Sequence, residues 1–262
     1  MVQPVTQGFI KKNLPLLSRK GRIERGLFIV EGEKFTSEIP GEWPIECFII
    51  SKTFSLKHNL AVFQKKAPVY IAQDYQYKRL SDTVTPQGIM AICKKRPITL
   101  ESILNGSCLL LMCDSLSDPG NVGALVRTAN AAGASGVILT HGSADLYCPK
   151  VIRASAGSIF QIPCFEETET PAAIRQLKSR GIILAAAHLK GGCSPYKTDM
   201  TQACCIIIGN EARGLSPAIS AQADILIKIP MKGNTESLNA AAAGSILLYE
   251  AVRQRIVASI YL

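Results

Sequence analysis

The sequence predicts an α/β protein: a C-terminal domain with a parallel sheet, preceded by a smaller α/β domain. Three observations carry this reading. From Ser107 onward, short apolar runs alternate with Gly/Ala-rich stretches, as expected of strands buried on both faces and separated by helices. The 262 residues fit one large domain or two modest ones. The charge is lopsided, with 16 Lys/Arg against 8 Asp/Glu in residues 1–99 and 13 against 12 in residues 100–262. The segment KKRPITLESILNG (Lys94–Gly106), charged and carrying Pro97, marks the boundary, which gives domains 1–99 and 107–262.

In the first domain CFIIS (Cys47–Ser51), PVYIA (Pro68–Ala72) and GIMAIC (Gly88–Cys93) read as strands between charged helical stretches. In the second, SCLLLMCD (107–114) is a buried strand and SLSDPGNVG a turn-rich loop offering Ser117, Asp118 and Asn121 as helix N-caps. A helix over 124–134 and a strand over 136–140 follow. VIRASAGSIF (151–160) reads as a helix with a strand beginning near its end, and 171–181 as a helix closed by Gly181. Strands over 182–187, 203–209 and 223–230 and a helix from Ser237 to about Val257 complete the set.

Several classes of function are excluded. The apolar runs CLLLMC (Cys108–Cys113) and ACCIII (Ala203–Ile208) are about a third of the roughly 18 residues a membrane span needs. The N-terminus shows no charged leader followed by an apolar segment, so a cytosolic protein is expected. Nine scattered cysteines without a CxxC pair, and three distant histidines, argue against a disulfide framework or a metal site. Neither GxGxxG nor GxxxxGK[ST] is present, which disfavours dehydrogenases, ordinary nucleotide-binding methyltransferases and nucleoside-triphosphate machines.

The positive excess, concentrated in runs such as SRKGRIER (Ser18–Arg25), suits a phosphate backbone, because each cation brought near it releases condensed counterions. A solvated face is the alternative reading of such runs. In the second domain three polar, glycine-marked loops fall at predicted strand ends, where ligands of parallel sheets gather: Ser117–Gly136 with Arg127, Ile206–Pro217 with Glu211, and Ile229–Gly244.

NVGALVRTANAAGASGVIL, IIIGNEARGLSP and IPMKGNTESLNAAAAGSILLYE resemble the three ordered motifs of the SpoU/TrmH-type RNA 2′-O-ribose methyltransferases, over about 140 residues. RGLFIVEGEKFTSEI (Arg25–Ile39) resembles the start of the small RNA-recognition domain that many members carry. The resemblance implies a C-terminal trefoil knot, S-adenosylmethionine as methyl donor, and a homodimer. It implies catalytic roles for Asn121, Arg127, Glu211, Ser237 and Asn239, and cofactor contacts at Gly209, Ile229 and Leu238 with an adenine-side wall at Ala185, Ala186 and Ala187. RNA-binding positions fall at Arg19, Lys20, Arg22, Arg25 and Lys34. The expected partner is RNA, ribosomal ahead of transfer RNA, with neither membrane nor DNA. A non-catalytic assembly factor and a base-nitrogen methyltransferase are the competing readings; the intact set of motif residues opposes the first, and the NxGxxxR spacing Asn121–Arg127 opposes the second.

Overall fold

The computed structural model describes residues 2–166 and 169–260, which divide into two units: Met1–Pro97 with Tyr147–Phe160, and Ile98–Leu146 with Gln161–Leu262. In chain order the first contains β1 (Val2–Pro4), α1 (Gln7–Asn13), α2 (Arg19–Arg25), β2 (Leu27–Glu31), α3 (Glu33–Ser37), β3 (Ile45–Ser51), α4 (Lys52–Ser55), α5 (Ala61–Gln64), β4 (Val69–Ala72), α6 (Asp74–Lys78) and β5 (Ile89–Lys94). Its sheet has the order β1-β4-β3-β5-β2, with β5 antiparallel to both neighbours.

The side-chain period of two decides what covers this sheet. Leu27 and Ile29 of β2 face a core with Ile10, Leu16, Ile49, Tyr77 and Met90. Phe28 points the other way and is closed over by aromatic rings from the later segment, Tyr147 at 4.5 Å and Phe160 at 6.4 Å between centroids, with Trp43 edge-on to Phe160. This contact explains why Tyr147–Phe160 groups with the first unit, although the sequence reading gives it to the second domain. The same segment breaks earlier than its apolar pattern predicts. Helix α8 (Pro149–Ser155) stops where Ala156 (φ 44°) and Gly157 (φ 79°) turn left-handed, and the strand that follows is displaced to β8 (Cys164–Glu166).

The second unit contains β6 (Leu109–Asp114), α7 (Pro119–Ala131), β7 (Gly136–Leu139), β8, α9 (Thr170–Ser179), β9 (Ile183–Ala187), β10 (Cys204–Gly209), α10 (Pro217–Ser220), β11 (Ile225–Ile227) and α11 (Ala240–Ile260). All six strands run parallel in the order β11-β9-β10-β6-β7-β8. Leu110, Met112, Leu184, Cys205 and Ile207 meet Ile174 and Leu177 of α9 on one face. On the other, α7 and α11 cross so closely that a Cβ on Gly244 would stand 2.4 Å from Leu125 Cδ2 and 3.1 Å from Ile208 Cγ1. Parallel strands share one carboxyl edge, and here Asp114, Ala187, Gly209 and Ile227 end four adjacent strands on it.

One of the predicted RNA contacts is buried. Arg22 is 4% exposed, and its guanidinium turns inward to donate from Nη1 to Leu16 O at 2.7 Å. Such a group serves the turn between the first two helices. Arg25 is half-buried and donates to Lys12 O and to Asn13 Oδ1, the latter at 3.2 Å. Arg19, Lys20 and Lys34 are exposed, and Lys20 makes only a surface ion pair with Glu24 at 3.8 Å.

Arg22→Ala leaves the Leu16 carbonyl unsatisfied and empties its packing, so chemical denaturation should show a loss of about 1–3 kcal/mol. Lys20→Ala should stay within about 0.5 kcal/mol in the same assay, as an exposed substitution does. Equal effects would return Arg22 to the surface set.

Candidate active site

The site grows from the shared carboxyl edge of the second unit. Three loops leave it: 115–118 after β6, 210–216 after neighbouring β10, and 228–239 after β11, with β9 between the last two strands. Gly209 has no side chain because the 210–214 turn folds straight back over it; a Cβ there would lie 2.5 Å from the carbonyl carbon of Gly214 and 2.6 Å from Leu215 N. The turn is closed by reciprocal backbone bonds between Asn210 and Gly214, both 2.9 Å.

Asn210 then links two loops. Its Oδ1 accepts from the Ala212 and Arg213 N–H groups at 3.0 and 3.1 Å, while its Nδ2 donates to Ser115 O at 2.8 Å. Buried Asp114 adds a second tie, accepting from the Ser216 N–H at 2.5 Å and from Thr140 Oγ1 at 3.2 Å. These bonds present Glu211 to the start of α7.

The Glu211 carboxylate accepts four hydrogen bonds. Oε1 takes Asn121 Nδ2 at 2.9 Å and the Asp118 N–H at 3.2 Å; Oε2 takes the Ser117 hydroxyl at 3.3 Å and its N–H at 3.4 Å. An anion at the N-terminus of a helix also meets the positive end of its dipole. Burial by itself would raise the Glu211 pKa, but the bonds from the Asn121 amide and from the backbone at Asp118 and Ser117 outweigh it and hold the carboxyl below its ordinary range.

Since Asn121 Nδ2 donates to Glu211, its Oδ1 is left to accept, and it does so from Asn239 Nδ2 at 2.9 Å. Asn239 Oδ1 in turn accepts the Ala241 and Ala242 N–H groups at 2.9 and 3.2 Å and caps α11. This cap starts the last helix at Ala240, three residues later than the sequence pattern predicts. Asp118, one of three N-caps expected for α7, is the one used, accepting the Asn121 N–H at 2.8 Å.

Asn121, Glu211 and Asn239 are therefore brought into one chain of bonds joining three loops. Arg127 and Ser237 are not in it. Arg127 is exposed six residues along α7, a rise of about 9 Å and a different face from Asn121, with no hydrogen bond or ion pair among the described residues. Ser237 is exposed in the loop before α11. Asn210 and Asp114 carry no motif signature; a polar residue closing each apolar run is their one signal in the sequence.

On the opposite flank, Ala185 and Ala186 are fully enclosed, register with Ile206 and Ile207 of β10, and pack the sheet interior, so their side chains form no wall. Ala187 alone of the three stands at the strand's end. Between Ile229 and Leu238 the backbone makes no hydrogen bond within the described residues, and the apolar side chains of half-buried Ile229 and 38%-exposed Leu238 flank this stretch. Amides and carbonyls without partners among the described residues, flanked by two apolar side chains, suit a ligand recognised through main-chain groups.

Residues 108–249, more than half of the chain, match the profile of the SpoU rRNA Methylase family. The chain belongs to this family. Residues 8–91 match the MRM3-like substrate binding domain. Among relatives of this SpoU methylase, the 23S rRNA (guanosine(2553)-2′-O)-methyltransferase of Bacillus subtilis is 30% identical over 89% of this chain and 92% of its own. The 23S rRNA (uridine(2479)-2′-O)-methyltransferase of Streptomyces viridochromogenes is 31% identical over 91% and 87%. The solved SpoU methyltransferase AviRb from the same organism, in complex with the cofactor AdoMet, superposes with a TM-score of 0.86 at 29% identity over 96% of this chain and 99% of that one.

Because the folded-state pKa of Glu211 lies below its ordinary value of 4.5, the network stabilises the native site above that pH and is lost as pH falls through the folded value. Carboxyl-detected NMR should find the Glu211 midpoint below 4.5 in the wild type and shifted upward in Asn121→Ala; an unmoved midpoint would deny the bond its effect. Gly209→Ala, forced against backbone that cannot yield, should lower stability by about 1–3 kcal/mol and shift the Asn121 side-chain amide resonances.

Proposed function

We propose that this SpoU methylase transfers a methyl group from S-adenosylmethionine to a ribose 2′-hydroxyl of ribosomal RNA, as a cytoplasmic homodimer with the threaded C-terminal domain of its family. The observation that carries the proposal is the bond chain Glu211–Asn121–Asn239, which ties the three motif loops together at the strand ends where a ligand would sit.

The residues present fit the cofactor. Main-chain groups of Gly209, Ile229 and Leu238 would hold it, with Ala187 at the end of β9 and the two apolar side chains bordering its flat adenine. When bound, it supplies a methyl group made electrophilic by a sulfonium. The chain must then orient a hydroxyl in line with that methyl and stabilise the charge left as its proton departs. Arg127, permanently charged and without a hydrogen-bond or ion-pair partner among the described residues, suits the second task and can also hold the adjoining phosphate. A guanidinium deprotonates only above about pH 12, so an electrostatic role fits it better than that of a base. Ser237 and the amides of Asn121 and Asn239 are neutral groups that can position a ribose without adding charge. Glu211 touches no substrate in this scheme; it orients Asn121.

Support for the dimer comes from α11. Ile246, Tyr249, Ile256, Val257 and Ile260 recur at spacings of three, four and seven along one helical face and are 37–70% exposed. A second copy would cover this stripe. The exposed cations of the first unit, Arg19, Lys20 and Lys34 with Lys11 and Lys12, supply the phosphate-facing surface.

Alkaline hydrolysis of rRNA treated with the enzyme and cofactor should show one new gap in the ladder, since a 2′-O-methyl blocks cleavage at its 3′ phosphate. A modified base without a gap would replace ribose by a base nitrogen as acceptor. Arg127→Ala should lower kcat about 10²-fold or more with RNA affinity little changed, while Arg127→Lys should keep partial activity. A fully inactive Lys variant that binds RNA normally would transfer the role from charge to geometry or proton abstraction.

A further inference from the structure

The first unit holds a cleft of about 490 Å³ that the methyl transfer does not use. That volume lies within the range of about 300–1,000 Å³ typical of small-ligand sites. The cleft opens outside the carboxyl ends of β2 and β3, which run in the same direction, and the turn into β5 closes one side. Ligands of open α/β sheets gather in this position. Its floor is tight: Gly88 (φ 93°) has Ser51 Oγ at 2.5 Å and Phe54 Cβ at 2.9 Å from where its own Cβ would be.

One wall is aromatic. Phe54, buried, stacks on His58 with centroids 3.8 Å apart and planes within 4°, and His58 is exposed, so a third ring can continue the stack on its outer face. The polar groups beside it are unequal. Asp74 is already taken by the Thr53 N–H at 3.2 Å and hydroxyl at 2.5 Å. Glu33 keeps an exposed carboxylate 3.6 Å from His58 Nδ1, while its backbone N–H donates to Gln87 Oε1 at 2.8 Å. That bond uses the oxygen of the Gln87 amide and leaves its NH₂ donors without a partner among the described residues. Exposed Lys57 stands on the rim.

A carboxylate accepts only, so it selects an edge with two adjacent donors. Of the four RNA bases only guanine offers this, at N1–H and the 2-amino group, with O6 alongside to accept from an amide. Proteins that read RNA sequence do so on unpaired bases, stacked on aromatic rings and bonded along the Watson–Crick edge. We propose that this cleft receives an unpaired guanine of the RNA substrate, stacked on His58, its Watson–Crick edge on Glu33 and Gln87 and its phosphate toward Lys57. The proposal deepens the reading of the protein as an RNA methyltransferase and rests on it for the identity of the polymer.

The test uses the full-length protein and four labelled RNA hairpins that differ only in one unpaired loop base. Anisotropy should show the guanine hairpin bound most tightly, and guanosine monophosphate should compete better than the other three monophosphates. Glu33→Gln, which sets an amide donor against guanine's donors, should erase the preference. His58→Ala should weaken binding about tenfold, the effect of losing one stacking platform, and His58→Phe should restore it. Equal affinity for all four hairpins, a preference for another base, or guanine selectivity surviving in Glu33→Gln would overturn the assignment.

Methylation of rRNA by the same variants separates the two readings. An unaltered KM in Glu33→Gln and His58→Ala would overturn the cleft and leave the activity standing. Guanine selectivity in a wild-type protein that methylates no ribose would remove the activity and leave the cleft.

Discussion

The site depends on a carboxylate that can only accept hydrogen bonds. Glu211 must be surrounded by donors, and the four it collects come from the start of one helix, including the side chain of Asn121. Once Asn121 has committed its NH₂ to Glu211, the direction of the next bond is fixed, and Asn239 has to donate to it. Asn239 is then left with its oxygen, which is what the open amides at the start of α11 require. A single charge thus sets the orientation of two amides that look interchangeable in sequence and aligns the first turns of two helices.

Much of the second unit was legible in the sequence because the governing signals are local. Buried strands flanked by helices give continuous apolar runs, and five of the six strands of this sheet overlap the runs that predict them, β8 being the displaced one. The gathering of polar loops at one edge follows from parallel direction. What escaped depends on contacts distant in sequence. The charge run Ser18–Arg25 does not show that Arg22 turns inward to Leu16 while its neighbours face solvent. Apolar period alone continues the helix past Ser155, and the left-handed turn at Ala156 and Gly157 is invisible to it. Nor does any property of Tyr147 and Phe160 by themselves announce that Phe28 needs covering.

The candidate site shows the same division. The resemblance of the three loops to the family motifs pointed to Asn121, Glu211 and Asn239, whose joining the geometry shows. The alanines of β9 are ambiguous in sequence because small size is compatible with two situations: close approach of a ligand, or close packing of a sheet. Ala185 and Ala186, enclosed between β10 and β11, are in the second. Asn210 and Asp114 tie neighbouring loops together as the motif residues do, Asn210 through Ser115 O and Asp114 through the Ser216 N–H.

Arg127 shows why that architecture matters to a residue outside it. Its helix is held at two places: at the first turn by Asp118 and Glu211, and at mid-length against α11, where Gly244 admits Leu125 and Thr128 shares a hydrogen bond with Ser245 at 3.2 Å. A rigid helix pinned at both points has little freedom to slide or turn, so the Cα of Arg127, between them and the adjacent neighbour of Thr128, is placed without a side-chain hydrogen bond or ion pair of its own among the described residues. The guanidinium can then remain unpaired. A positioned backbone carrying an uncommitted cation leaves that charge available to an anionic substrate, whereas a salt bridge made to fix the side chain would have consumed it.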